Sequence, residues 1–124
     1  MRTPKPILDR RRSVRVEEEL RFKIGREDYE AEARTVNISE HGVLCLVEKN
    51  VPLMTQLAVA LTLPASDKKA KRGKILRIKA VVVRREKDPV SEKYLLAIYF
   101  SQISAENREI LNRFIESRLT RQNL

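Results

Sequence analysis

From Leu20 the chain alternates apolar and polar positions, and then repeats that alternation in short blocks almost to its end. Leu20, Phe22 and Ile24 share one face with Arg21 and Lys23 on the other, which predicts a half-buried strand ending at Gly25. Tyr29 to Ile38 continues as a second strand, a hairpin partner across Arg26 to Asp28. Asn37 to Gly42 breaks the alternation, and Gly42 to Val47 is an apolar run of strand length. Leu57, Val59, Leu61 and Leu63 alternate after a turn at Pro52 and stop at Pro64, since proline cannot donate to a ladder. Ile75 to Arg85 predicts a long strand with Leu76, Ile78, Ala80 and Val82 on one face.

Past an Asp88-Pro89 turn, Tyr94, Leu96, Ile98 and Phe100 oppose Leu95, Ala97 and Tyr99. Both faces of this last strand are apolar, and the expectation is that both are covered. A 3.6-residue period first appears over about 104–120, where Ile110, Leu111, Phe114, Ile115 and Leu119 form one stripe. Ser104 is placed to cap the helix, Glu106 suits its first turn, and Arg118 and Arg121 suit its C-terminal dipole. Six strands and one amphipathic helix predict a mainly β fold, a six-stranded antiparallel β-barrel with a C-terminal α-helix.

Length adds a limit: 124 residues make one domain with one modest core. No apolar run approaches the roughly 18 residues of a membrane span, so no membrane insertion is expected. The basic start argues against a secretory leader, and the single Cys45 suits a reducing compartment, so the expected location is cytoplasmic.

Charge divides the chain further. The net charge is +9, and residues 1 to 15 hold Arg2, Lys5, Arg10, Arg11, Arg12 and Arg15 against Asp9 alone. With two prolines and no periodicity, residues 1–16 read as a flexible basic ligand-binding arm, and 17–124 as the barrel with its helix. Guanidinium is planar and permanently charged, forks onto phosphate or guanine edges and stacks on rings, which points to a phosphorylated nucleotide or polynucleotide. A second cluster, Lys68 to Lys74, lies between two strands and reads as a solvated loop.

Catalysis is excluded by inventory. One histidine and one cysteine supply neither an ordinary zinc site nor a nucleophile with its base, and Cys45 reads as a buried strand residue. Glu17, Glu18 and Glu19 are consecutive and cannot all face one cleft from a strand. Gly25, Gly42 and Gly73 are too scattered for a phosphate-cradling loop. No enzyme, no metal and no cofactor are expected; the chain reads as a binder.

Two elements remain. Arg11 and Arg15 are separated by three residues just before the first strand. Asn37-Ile38-Ser39-Glu40-His41-Gly42 sets Asn, Ser and Gly at fixed offsets where one strand turns into the next. Asn37 offers a donor and an acceptor for a base edge, Ser39 adds a hydroxyl, and Gly42 permits positive φ and close approach of a ligand to the backbone. The plain alternative is an Asx-type turn in which Asn37 and Ser39 bond their own backbone. Arg12 and His41 are secondary candidates.

In this order the two elements resemble the signature of the PilZ domain, a bacterial receptor module for cyclic di-GMP, whose arm carries Arg-x-x-x-Arg and whose barrel carries Asp or Asn-x-Ser-x-x-Gly. Arg11, Arg15, Asn37, Ser39 and Gly42 match it, with Asn where many relatives have Asp. The resemblance spans essentially the whole chain. It implies cyclic di-GMP as ligand, held by Arg10, Arg11 and Arg15 from the arm and Asn37, Ser39 and Gly42 from the barrel. It further implies two stacked ligand molecules, because a basic residue, here Arg10, precedes the first motif arginine, and a downstream protein partner whose identity the residues leave open. Two rivals stand beside it. A basic single-stranded nucleic-acid-binding barrel is disfavoured by having only three Tyr and three Phe; a PilZ-like adaptor working through protein contact without ligand is the other.

Overall fold

The computed structural model describes residues 15–64 and 73–122, with 120–122 as backbone alone. The strands are β1 (Arg21–Arg26), β2 (Tyr29–Ile38), β3 (Gly42–Val47), β4 (Gln56–Leu63), β5 (Lys74–Lys87) and β6 (Tyr94–Gln102), followed by helix α1 (Ala105–Gln122). They close into a barrel in the order β1-β2-β3-β6-β5-β4, every neighbour antiparallel. Closure gives each of the six strands a neighbour on both sides, although β5 runs past the end of β4 beyond Val81 and β2 runs past β1 beyond Arg34.

The alternating positions face inward as the pattern requires. Phe22 and Ile24 of β1, Val43, Cys45 and Val47 of β3, Leu57 to Leu63 in alternation on β4, Leu76 to Val82 on β5, and Leu96, Ile98 and Phe100 on β6 are all buried. Antiparallel order brings the start of β1, the end of β2, the start of β3, the end of β4, the start of β5 and the end of β6 to one end of the barrel. Helix α1 follows β6 at that end. Its Leu111, Phe114 and Ile115 enter the barrel core, with Ile110 and Leu119 packed alongside. The Ser104 hydroxyl accepts from Asn107 N at 3.0 Å, a helix cap as expected, and Asn107 Nδ2 donates to Arg77 O at 3.3 Å. Burying a side chain such as Leu111 contributes about 1.5–3 kcal/mol.

One expectation fails. The outer face of β6 is not covered: Tyr99 is 49% exposed, and Leu95 and Ala97 are only half-buried. The helix spends its apolar stripe on the open end of the barrel, where inward side chains need a lid, and none is left for the outer wall. Apolar residues on both faces of a strand therefore meant one packed face and one exposed apolar face.

Candidate ligand site at the β2–β3 end of the barrel

The site begins with a defect in β2. Between Thr35, which pairs with Cys45, and Asn37, which pairs with Leu44, the register shifts at a bulge. Strict alternation would send Thr35 and Asn37 to the same side. With the extra residue Val36, Thr35 stays buried, Val36 and Asn37 both lie on the outer side, and Ile38 returns to the core. The bulge therefore re-aims Asn37 to the outside.

The chain before β1 is laid against this point. Val16, completely buried, exchanges two backbone hydrogen bonds with Ile38, at 2.9 and 3.0 Å. Inward-facing Val16 turns Arg15 outward, and Arg15 Nη1 donates to Asn37 Oδ1 at 2.8 Å. The following segment is pinned by Thr35, whose Oγ1 accepts from Leu20 N at 2.6 Å and donates to Glu18 O at 2.5 Å. Of the three acids beside Arg15, Glu19 pairs with Arg34 at 2.9 Å and Glu18 lies 3.2 Å from Arg118. Among the described residues Glu17 forms no ion pair, and neither Glu18 nor Glu19 is paired with Arg15.

Ser39 does something other than present its hydroxyl. It is fully buried; its N donates to Gly42 O at 2.9 Å, and its Oγ accepts from His41 N at 3.2 Å and lies 3.4 Å from Gly42 O. Ser39 thus bonds the turn to itself, the plain alternative for this residue, while Asn37 faces out. Gly42 is required for a reason other than φ. No described glycine has a positive φ, but a Cβ at residue 42 would lie 2.3 Å from Ile98 O. The close approach is that of strand β6. His41 turns its side chain partly to solvent, with Nε2 3.3 Å from Glu40 Oε1, while its carbonyl accepts from Phe100 N at 2.8 Å. Register then places Tyr99 opposite Gly42 and Ala97 opposite Leu44. Arg15 and Asn37 therefore stand at the edge of a partly exposed apolar wall.

Structure thus joins Arg15, Asn37, Ser39, Gly42 and His41 at one corner. Arg10, Arg11 and Arg12 lie outside the described residues, as does most of the Lys68 to Lys74 loop. Val16 and Thr35 were not singled out in the sequence. Thr35 carried a signal, a polar residue at the inward phase of β2 after Ala31 and Ala33. Among the described residues no three His, Cys, Asp or Glu side chains cluster as a metal site, and no helix is long and apolar enough to cross a membrane.

A closed six-stranded barrel, lidded by its last helix and carrying a bulged Asn-x-Ser-x-x-Gly turn against an upstream arginine, is the architecture of a PilZ domain. Residues 9–117 match the PilZ domain family, and the chain belongs to it. Among solved structures it is similar to the inhibitor of motility MotI (DgrA) of Bacillus subtilis, at 25% identity and TM-score 0.73, over 89% of this chain and 50% of that one. It therefore spans about half the length of that relative. It also resembles the PilZ domain of YcgR from Escherichia coli, solved with c-di-GMP, at 18% identity and TM-score 0.62, over 91% and 94% of the two chains. A comparison with curated proteins finds no match.

Proposed function

We propose that this protein is a cyclic di-GMP receptor that acts as an adaptor in bacterial second-messenger signalling, in the cytoplasm. The observation that carries this reading is the 2.8 Å bond from Arg15 to Asn37, which sets the two halves of the signature, 22 residues apart, in contact. Membership of the PilZ family supports it further. In this reading Arg10, Arg11 and Arg15 take phosphates and guanine edges or faces, since a guanidinium forks onto both. Asn37 presents its amide to a second guanine edge, while Ser39 and Gly42 hold the turn that aims it. Arg12 and His41 are further contacts from the two sides.

Ligand binding changes the N-terminal arm and with it the surface offered to a protein partner. The role is one of recognition, without chemistry on the ligand. Calorimetric titration with cyclic di-GMP tests it: micromolar or tighter binding is expected, with two molecules per chain as the Arg10 position implies. Absence of binding would refute the receptor reading, and an endpoint of one would refute the stoichiometry alone.

A further inference from the structure

Away from the β2–β3 corner, the barrel wall formed by β1, β4 and β5 is concave. The depression measures about 1310 Å³ and is walled by cations. The register explains its shape. Lys23 of β1 pairs with Ala60 of β4, which pairs with Arg77 of β5; one step along, Gly25 pairs with Ala58 and Ala58 with Lys79. All face outward, so long basic side chains on β1 and β5 flank the low central strand. The two flanking strands are two strand spacings apart, roughly 10 Å, which is the diameter of an α-helix with its side chains.

The charges are available for a partner. Lys23 makes one long contact with Glu30, at 4.0 Å, but Arg26, Arg77 and Lys79 form no ion pair among the described residues. Like charges converging on a concave low-dielectric wall focus the field and attract an oppositely charged ligand. Two features select a protein over a polynucleotide. Glu27 and Glu30 stand at the hairpin end of the depression, so its charge is polarised along its length and repels a continuous phosphate chain there. Beyond Arg77 on the same outward row, Ile75 is 56% exposed and offers an apolar anchor of the kind protein interfaces use. Tyr29 lines the hairpin end, but Lys49 already lies over its ring at 4.3 Å, and the floor itself carries no ring on which bases could stack.

We infer that the β1–β4–β5 trough is the docking surface for an acidic amphipathic helix of a partner protein, on a barrel wall separate from the ligand corner. The partner sets carboxylates against Lys23, Arg77 and Lys79 and an apolar side chain on Ile75. This site does not depend on cyclic di-GMP being the ligand.

The test uses a synthetic helical peptide of about 18 residues, roughly 27 Å long, with Glu along one face and Leu at its edge. It is titrated into the labelled protein while backbone amide shifts are followed. Shifts are expected in 23–26, 58–60 and 75–79. The double variant Arg77→Glu, Lys79→Glu should weaken peptide binding about tenfold or more, with its fold retained because both side chains are exposed. Peptide shifts centred on 39–42, an unchanged affinity in the double variant, or tighter binding of a thymidine oligonucleotide to the same amides would each overturn the proposal.

Discussion

The carboxylate of Glu18 lies 3.2 Å from Nε of Arg118, joining the segment that follows Arg15 to the closing turns of helix α1. Both side chains are largely shielded from solvent, and the Arg118 guanidinium also stacks on Phe114 at 4.6 Å from the ring centre. The Arg118 Nε–H is buried and is not aimed at the carboxylate well enough to form a hydrogen bond. The pair is held by charge and stacking, an arrangement that small movements of the Glu18 segment can disturb.

The helix end should therefore be coupled to the segment that follows Arg15. Replacing Arg118 by Ala is expected to cost about 1–3 kcal/mol, because it removes a cation–π contact and leaves a partly buried carboxylate unpaired. Hydrogen exchange should quicken both in the last helical turns and in residues 16–20. Faster exchange confined to the helix would mean that the two segments are not coupled.

At the proposed ligand corner, Arg15→Ala removes a charged contact with Asn37 at the edge of an apolar wall. A loss of about 2–5 kcal/mol in cyclic di-GMP affinity is expected, roughly 30-fold or more by calorimetry. Asn37→Ala should cost less, since it leaves the guanidinium in place. The double variant should fall short of the sum, as the two residues share one bond. Full additivity would show that the 2.8 Å contact is irrelevant to binding.

Gly42→Ala should act on stability before it acts on binding. The added methyl would sit 2.3 Å from Ile98 O, so β3 and β6 must part. A loss of about 1–3 kcal/mol in urea unfolding is expected, in the range of overpacked cores. Were the glycine needed only for ligand clearance, unfolding would be unchanged and affinity alone would drop.

Burial pushes the Cys45 thiol up to about 12, which keeps it neutral in the folded barrel. The unfolded thiol ionises near its ordinary value of 9.0, so above that pH the unfolded state releases a proton that the folded state keeps. Stability from this group is complete below about pH 9 and declines toward pH 12, at no more than about 1.4 kcal/mol per pH unit. Thiol reagents at pH 8 should label the protein only at its unfolding rate; rapid labelling under native conditions would contradict the buried position.

Met54 holds φ at 66°, in a turn closed by Thr55 N and Oγ1 on Pro52 O at 3.3 and 2.7 Å. A long side chain in the left-handed region is strained, and asparagine tolerates it better. Met54→Asn, at a 70% exposed site, should stabilise the fold by about 0.5 kcal/mol and so raise the unfolding midpoint. A lower midpoint would mean that the side chain packs usefully where it is.

Strand count, inward faces, helix stripe and the Ser104 cap were all legible along the chain. Each depends on neighbours a few residues apart, and period-2 and period-3.6 patterns record which side of an element meets the core. Asn37, Ser39 and Gly42 were legible as a unit for the same reason. Their division of labour was not. Whether Asn37 faces out depends on a one-residue bulge, whether Gly42 tolerates a side chain depends on β6, more than 50 residues away, and whether Ser39 is free depends on how its turn folds back. The anchoring of Val16 on Ile38, the exposed outer face of Tyr99 and the trough across β1, β4 and β5 likewise exist only once the barrel closes. Sequence spacing encodes which residues can share a face; only strand pairing across the closed sheet decides which faces meet and which remain open.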